Sequence, residues 1–333
     1  MRKYYLGIDL GGSKILAGLF DEELNLVGRN KMRTKPERGF ASVVERIARC
    51  ASDLVDDFDI EKKSIVSLGI GTPGSIDAKG NVIFAGNLDW KDVPLKKQME
   101  KVMQIPVSVE NDCNVATLGI YHHELKAKPV NMVGIFLGTG VGAGLILNRQ
   151  LYRGTNLIAG EIGHTVLDVN GEQCNCGNRG CFELFASRSS IFRKIGEAIK
   201  NGEETQLADK KLENLRSGDL EKAIRRGDKC VARLVDEAAH YTGIAVANVV
   251  NLLNPDVVVL GGGVIDALED QMMPVIDKVA HEYAFPGIPP TFHSTANSGE
   301  YILFITFLIL LYLFSKSFEA ACSTARPCRS SLS

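Results

Sequence analysis

The sequence predicts an α/β protein with an internally duplicated fold, and three observations carry this prediction. Two segments, residues 4–20 and 132–147, share one plan: a strand, a glycine-rich turn and a second strand. Residues 40–58 carry apolar side chains at helical spacing, which predicts an amphipathic helix. Residues 254–263 form an apolar run that ends in three glycines, as a buried strand often does. Two similar halves of this kind favour a nucleotide bound between them.

Composition narrows the class of protein. The 333 residues are enough for one large or two medium domains. A formal net charge of −2 disfavours bulk electrostatic attraction to nucleic acid or to an anionic membrane, so no nucleic-acid partner is expected. The eight cysteines come without an apolar signal segment at the start, which indicates a reducing compartment and predicts a cytoplasmic protein.

The first hairpin carries a turn rich in hydrogen-bond donors. Gly11 and Gly12 would let backbone N–H groups approach phosphate oxygens closely. Ser13 adds a hydroxyl and Lys14 a cation, while Asp9 could hold Mg²⁺ directly or through water. The spacing matches neither the Walker motif nor the dinucleotide fingerprint, and an ordinary tight hairpin is the alternative interpretation.

The second hairpin repeats this arrangement further along the chain. Its candidate phosphate-binding residues are Gly138, Thr139, Gly140 and Gly142. The glycines that end the run at 254–263 include Gly261 and Gly262, whose backbone could pack close to a purine or a phosphate. A plain strand-to-helix turn is the alternative there.

Polar residues follow two predicted strands. A strand at 65–70 leads into a turn at 71–74, and residues 85–90 place Asn87 where its amide could bind a ligand hydroxyl or complete a turn. Asp112 follows the strand that begins at Val107. Ligands gather at the carboxyl ends of strands in α/β sheets, so Asp112 could be a general base, or it could cap the helix after it.

A dense cluster of soft ligands predicts a metal site. His164, Cys174, Cys176 and Cys181 lie close together in sequence, with glycines between the thiols. This pattern favours a structural zinc ion over a disulfide or four unrelated loop residues. Glu161 and Glu183 flank the cluster, which suggests a rigid platform for a polar ligand rather than a catalytic zinc with an open position.

Together these motifs resemble those of the ROK family of sugar kinases, within the actin and hexokinase-like superfamily, over roughly residues 4–290. The resemblance implies two ribonuclease-H-like domains around a central cleft. Residues 1–118 would form the domain with the first hairpin, and residues 119–290 the domain with the second hairpin and the zinc cluster. It also implies ATP and Mg²⁺ as cofactors and a homo-oligomer, since many relatives are oligomeric.

The resemblance further implies phosphorylation of a hexose or N-acetylhexosamine at its 6-hydroxyl. Glucose is favoured by its frequency in the family, with N-acetylmannosamine as an alternative. Asp112 would be the general base. The other sugar-binding residues would be Gly74, Asn87, Asn111, Glu161, His164 and Glu183. His164 would use one ring nitrogen for zinc and the other toward the sugar.

A sugar-responsive regulator is the main competing interpretation, because ROK relatives include transcriptional repressors. Those carry a helix-turn-helix region ahead of the first hairpin, whereas this hairpin already begins near Asp9, so we expect an enzyme. Residues 291–333 depart from the family pattern. Their apolar run at 301–314 is short for a membrane span, so a substitute terminus is preferred over membrane attachment or a buried helix, and no membrane partner is expected.

Overall fold

The computed structural model describes residues 2–294 of the chain. These residues divide into two compact units, the first ending at Val115 and the second beginning at Ala116. The predicted domain boundary, between residues 118 and 119, lies in the same helix as this division. The apolar run predicted at 301–314 lies outside the described residues. Among the helices of residues 2–294, none combines the length and hydropathy needed to cross a bilayer.

The first unit contains a five-stranded mixed sheet and a small three-stranded sheet. Its strands are β1 (Tyr4–Leu10), β2 (Lys14–Phe20), β3 (Leu26–Arg33), β4 (Ile65–Thr72), β5 (Ser75–Ile76), β6 (Val82–Ala85), β7 (Trp90–Val93) and β8 (Val107–Asn111). Its helices are α1 (Phe40–Asp57), α2 (Leu95–Met103) and the start of α3 (Asp112–Gly119). The large sheet has the order β3-β2-β1-β4-β8, and the small sheet the order β5-β6-β7.

The second unit contains one five-stranded sheet and most of the helices. Its strands are β9 (Met132–Leu137), β10 (Val141–Leu147), β11 (Gln150–Leu151), β12 (Val257–Gly261) and β13 (Phe292–Ser294). Its helices are α4 (Glu183–Ala186), α5 (Arg188–Lys200), α6 (Ser217–Arg225), α7 (Lys229–Leu253) and α8 (Ile265–Tyr283). The sheet order is β11-β10-β9-β12-β13. A π-helical turn over Ile120–Glu124 continues from α3.

The two large sheets share one topology. In each, three consecutive antiparallel strands are followed by two strands parallel to the first, so β9 corresponds to β1, and β12 and β13 correspond to β4 and β8. This confirms the predicted α/β class and the duplicated plan of two ribonuclease-H-like domains. In both sheets the glycine-rich turn joins the first and second strands.

Local patterns explain the main elements. Helix α1 buries the predicted apolar stripe, including Val44, Ile47 and Leu54. Helix α7 buries one apolar face in the core of the second unit. Strand β12 is buried along its whole length, as its apolar run predicts. The prediction for β4 was too short, because the strand continues through Thr72 in register with β8.

Candidate functional site

The first glycine-rich turn is held by its own backbone and by Thr34. The N–H of Gly11 donates to the carbonyl of Lys14 at 2.8 Å, which closes the turn between β1 and β2. The buried Thr34 donates its hydroxyl to the carbonyl of Gly11 at 2.6 Å and its N–H to the carbonyl of Ser13 at 3.0 Å. The turn is therefore fixed by the residue that follows β3 as well as from within, a role for Thr34 that the sequence pattern did not reveal.

Gly12 and Asn87 lie against each other. A Cβ added at Gly12 would lie 2.9 Å from the carbonyl oxygen of Asn87, closer than real Cβ contacts allow, so this position accepts only glycine without a shift of backbone. Asn87 sits in a 3-10 turn over Gly86–Leu88 that follows β6. The structure thus brings a predicted phosphate-binding residue and a predicted sugar-binding residue together.

The carboxyl ends of three neighbouring parallel strands place further predicted residues along one sheet edge. Asp9 on β1 is in register with Gly71 on β4, which is in register with Glu110 on β8. Thr72 and Asn111 form the next row. Ligands bind outside the carboxyl ends of parallel strands in α/β sheets, so this edge is the candidate site of the first unit.

Asn111 caps helix α3 and ties it to a nearby loop. Its Oδ1 accepts the N–H of Asn114 at 3.1 Å, the side-chain bond expected of an N-cap residue. Its Nδ2 donates to the carbonyl of Gly74 at 3.1 Å. Gly74 has φ +101°, and a Cβ there would collide with the carbonyl oxygen of Phe84, so both residues are fixed by local sterics.

Glu110 braces the same strand end. Its Oε1 accepts the N–H of Asn111 at 2.9 Å and the side-chain amide of Asn114 at 3.0 Å. Asn114 is buried, so the carboxylate gives the enclosed side-chain NH₂ group of Asn114 an acceptor. Sequence reasoning gave Glu110 no role of its own, although its place one residue before Asn111 at a strand end was a signal for one.

Asp112 is not the cap of the helix that it begins. Its Oδ1 accepts the N–H of the next residue, Cys113, at 2.8 Å, whereas a capping side chain reaches the second or third N–H of the helix. Burial raises the pKa of Asp112, and the hydrogen bond from Cys113 offsets only part of that effect. Since Asn111 caps α3, the carboxylate of Asp112 remains available for chemistry.

The second glycine-rich turn is also closed by a backbone hydrogen bond, which spans one residue fewer than that of the first turn. The N–H of Gly138 donates to the carbonyl of Gly140 at 2.9 Å, and Thr139 is exposed at the tip between them. Gly142 lies inside β10 instead, in register with Phe136 on β9. Of the four predicted phosphate-binding residues, Gly138, Thr139 and Gly140 therefore form the tip of the hairpin, and Gly142 lies within strand β10.

Helix α5 contacts this tip through its first two residues, which the sequence patterns did not single out. The backbone N–H of Arg188 donates to the carbonyl of Gly138 at 2.9 Å, and its Nη2 donates to the hydroxyl oxygen of Thr139 at 2.6 Å. Ser189 donates its hydroxyl to the carbonyl of Thr139 at 2.8 Å. The tip is thus fixed from outside the hairpin.

Glu183 also belongs to this turn. Its Oε2 accepts the N–H of Val141 at 2.9 Å. A Cβ added at Gly140 would collide with the same carboxylate oxygen, so the glycine makes room for it. The sequence predicted Glu183 as a sugar-binding residue, and the structure gives it a contact with the second phosphate hairpin as well.

The glycines after β12 adjoin the base of that hairpin. Gly262 has φ +90°, and a Cβ there would come within 2.9 Å of the backbone nitrogen of Leu137. The N–H of Val264 donates to the carbonyl of Leu137 at 3.0 Å. Gly261 is in register with Phe136, the same residue that pairs with Gly142. The predicted nucleotide-binding glycines of the second unit thus gather at one end of its sheet.

Glu161 and His164 are carried by a 3-10 turn over Ile162–His164 that packs on β10. Gly160 has φ +99°, and a Cβ there would approach the carbonyl of Ala143 within 2.5 Å. A Cβ added at Gly163 would collide with the carbonyl oxygen of Val141. These two glycines let the turn lie directly on the strand that starts at the second hairpin, which positions both predicted sugar ligands next to it.

The predicted zinc ligands converge. The ligand atoms of His164, Cys174, Cys176 and Cys181 all lie within 4.8 Å of one another. Nδ1 of His164 is 3.8 Å from Sγ of Cys174, and the Sγ atoms of Cys176 and Cys181 are 3.6 Å apart. Two thiolates on one tetrahedral zinc ion are about 3.8 Å apart, from Zn–S bonds of about 2.3 Å. The donor set and its spacing therefore fit a four-coordinate zinc ion.

The disulfide alternative for these cysteines does not hold. The three thiols are free, and their separation is far above the S–S bond length of about 2.05 Å. Burial raises the pKa of the Cys181 thiol to about 12, while the backbone N–H of Asn178 lowers the pKa of the Cys176 thiol. A divalent cation is what would hold all three as thiolates, so the cluster has the chemistry of a structural metal site.

Comparisons with known proteins identify the family to which these motifs belong. The sequence profile of the ROK family matches residues 5–299. The chain is 35% identical to a glucokinase from Halalkalibacterium halodurans over 86% of this chain and 88% of the relative. It is 29% identical to a putative xylose repressor from Caldicellulosiruptor sp. over 84% of this chain and 70% of the relative. A crystal structure of a ROK family glucokinase from Streptomyces griseus in complex with glucose and AMPPNP matches with a TM-score of 0.80 and 29% identity, covering 92% of this chain and 98% of that chain.

Proposed function

The chain belongs to the ROK family, and we propose that it transfers the γ-phosphoryl group of ATP to the 6-hydroxyl of a hexose, with Asp112 as the general base. The reaction class, ATP-dependent phosphorylation of a sugar, rests on the glucokinase relative and on the glucokinase structure with glucose and an ATP analogue. Glucose is the proposed substrate on the same grounds. N-acetylmannosamine or another hexose is the alternative within the family.

The environment of Asp112 carries the proposal. Asp112 follows the last residue of β8, at the carboxyl end of the parallel strands in the first large sheet, and the capping of α3 is left to Asn111. Burial raises its pKa toward the range in which a carboxylate accepts a proton more readily. A base in this position would take the proton of the sugar hydroxyl as the phosphoryl group is transferred.

Phosphoryl transfer depends mainly on positioning and on stabilisation of charge, with one base to orient the attacking hydroxyl. We assign the phosphates of ATP to the two hairpin turns, through Ser13 and Lys14 of the first and Thr139 of the second. Asp9 is the proposed contact for Mg²⁺, which would neutralise charge on the phosphates when bound. Gly261 and Gly262 are proposed to pack against the nucleotide.

The sugar would be held by groups on rigid elements. Asn87 and Asn111 offer amides at the edge of the first sheet, while Glu161 and Glu183 offer carboxylates beside the second hairpin. Nδ1 of His164 faces the thiol of Cys174. This orientation leaves Nε2 for a sugar hydroxyl, so a bound zinc ion would fix the direction of the ring and would act on the reaction only through geometry.

A coupled assay of ADP release over a sugar panel tests the proposed substrate. The panel should hold glucose, mannose, fructose, N-acetylmannosamine and N-acetylglucosamine, and ³¹P NMR of the product should locate the phosphate. We expect the highest kcat/KM for glucose and a 6-phosphate product. A preference for an N-acetylhexosamine would overturn the choice of glucose while leaving the reaction class intact, and a product phosphorylated at another hydroxyl would contradict the proposed reaction.

A sugar-sensing regulator without catalysis is the second candidate, because a putative xylose repressor is among the relatives. Such a protein would bind a sugar but would not consume ATP when the sugar is added. ATP turnover with and without the sugar panel separates the two candidates. The kinase assignment carries two further expectations. The protein is expected in the cytoplasm, where ATP is available as the phosphoryl donor, and it is expected to form a homo-oligomer.

A further inference from the structure

Arg188 contacts the tip of the second hairpin through its side chain and forms no ion pair within the described residues. It is only partly exposed, and its guanidinium lies 2.6 Å from the hydroxyl oxygen of Thr139. Within residues 2–294, no carboxylate lies at ion-pair distance from this guanidinium. The other arginine in the first half of α5, Arg193, pairs with Glu172 and with Glu197, each at 2.7 Å. Arg188 therefore brings to the hairpin tip a positive charge that forms no ion pair within residues 2–294.

The hydrogen bond to Thr139 also fixes the direction of a proton. A guanidinium has N–H donors and no acceptor, so the hydroxyl of Thr139 must be the acceptor in this bond. The hydroxyl proton then points away from Arg188. In the described part of the chain it meets no acceptor, and Thr139 is exposed at the tip. Arg188 thereby turns Thr139 into a donor directed outward from the hairpin.

The backbone around this pair is held independently of the Arg188 side chain. The N–H of Arg188 and the hydroxyl of Ser189 bond to the carbonyls of Gly138 and Thr139. The side chain of Ser187 caps α5 by accepting the N–H of Ser190 at 3.1 Å. Removal of the guanidinium would leave all of these bonds in place. The guanidinium is thus not needed to shape the turn. Its remaining contact in this turn is the hydrogen bond to the hydroxyl of Thr139, so the guanidinium acts on that group.

We propose that Arg188 is a positioning residue for the nucleotide: it orients the hydroxyl of Thr139 as a hydrogen-bond donor to a phosphate of ATP and supplies a cation beside that phosphate. The inference rests on the proposed function, since it takes ATP as the ligand of the second hairpin. A phosphate oxygen is the acceptor that a directed hydroxyl and a nearby guanidinium bind best. Replacement of Arg188 is not expected to change the binding of the sugar.

A double-mutant cycle between Arg188→Met and Thr139→Val tests the proposal. Methionine keeps an unbranched apolar stem and removes the donors and the charge. We expect Arg188→Met to raise KM for ATP about tenfold, the effect of losing one charge-assisted hydrogen bond, with KM for the sugar unchanged within about twofold. In the Thr139→Val background the same change should raise KM for ATP by less than about threefold, because the hydroxyl it acts on is gone.

Two further variants serve as controls. Thr139→Ser keeps the hydroxyl, so in this background Arg188→Met should still raise KM for ATP about tenfold. Lys200→Met removes an exposed cation from the last turn of the same helix and should leave both KM values unchanged. Full additivity of Arg188→Met and Thr139→Val would show that Arg188 does not act through the hydroxyl of Thr139, and would overturn the proposal. Equal effects of Arg188→Met on the KM values for ATP and for the sugar would also overturn it, in favour of a purely structural role.

Affinity for the magnesium complex of AMPPNP, measured by calorimetry without sugar, separates this proposal from the proposed function. If the wild type phosphorylates no sugar but Arg188→Met weakens AMPPNP binding about tenfold, the role of Arg188 stands and the reaction is wrong. If the wild type phosphorylates sugar but Arg188→Met leaves AMPPNP affinity unchanged, the role of Arg188 is wrong. If the wild type does not bind AMPPNP, both are wrong.

Discussion

The side-chain oxygen of Asn111 lies 3.1 Å from the backbone nitrogen of Asn114 and caps helix α3, so the capping role open to Asp112 belongs to its neighbour. Asn111 also donates to the carbonyl of Gly74 at 3.1 Å. One amide thereby fixes the start of the helix relative to the loop after β4. The direction in which Asp112 points depends on this arrangement.

Replacement of Asn111 tests whether the cap positions the base. We expect Asn111→Ala to lower the free energy of unfolding by about 1 to 2 kcal/mol, the usual cost of a lost N-cap, and to reduce kcat. Urea unfolding and steady-state kinetics measure the two effects. Asn111→Ser is the matched control, because serine can cap the helix but is too short to reach Gly74. It should recover most of the stability. Failure of serine to recover any stability would show that the cap is not the stabilising contact.

Glu183 should affect both substrates, because its carboxylate accepts the N–H of Val141 at the second hairpin. We expect Glu183→Ala to raise KM for ATP as well as KM for the sugar, each by about tenfold, since a buried donor would lose its charged acceptor. Glu183→Gln keeps an acceptor oxygen and should have the smaller effect on KM for ATP. A change confined to the sugar would mean that the contact with Val141 has no role in nucleotide binding.

The metal cluster should hold one zinc ion per chain. We expect elemental analysis to find zinc in the wild type and to find it lost in Cys181→Ser, with the free energy of unfolding lowered by at least about 2 kcal/mol, because metal binding and folding are coupled. Cys230→Ser is the control, as Cys230 is also buried but lies outside the cluster. Wild-type protein that is stable and active after complete removal of zinc by a chelator would contradict a structural role for the metal.

The pH dependence of activity should show the raised pKa of Asp112. Burial is the main cause of the shift, and a general base works only when it is deprotonated. Activity is therefore lost as pH falls through the pKa of this carboxyl, and the acid limb of log kcat/KM should have its midpoint above the ordinary aspartate value of 3.8. Rates measured over a pH series in buffers of constant ionic strength give the midpoint. A midpoint at or below that value would contradict the expected shift.

Features encoded by short, local patterns could be predicted from the sequence. The two glycine-rich turns and the cluster of His164 with three cysteines depend on residues a few positions apart, and the structure brings each set together as predicted. The duplicated sheets followed from the repeated strand–turn–strand plan. In each case the chemistry of the residues and their spacing carried the information without any long-range contact.

Contacts between distant segments could not be predicted in this way. Glu183 reaches Val141 and Arg188 reaches Thr139 across more than forty positions of sequence, and nothing in the local pattern specifies such pairs. The choice of Asn111 over Asp112 as the cap depends on where the first helical turn starts, a boundary that propensity alone does not fix. These contacts determine which predicted residues face the substrate and which hold the turn.

Turnover of Asp112→Asn is the most direct test of the central claim, that this carboxylate takes the proton of the sugar hydroxyl. Asparagine has nearly the same shape and can still accept the N–H of Cys113 through its side-chain oxygen. We predict that kcat falls by a factor of about 10² to 10⁴ while the dissociation constant for glucose, from calorimetry, changes by less than about threefold. A kcat within about fivefold of the wild type would remove Asp112 from the role of general base.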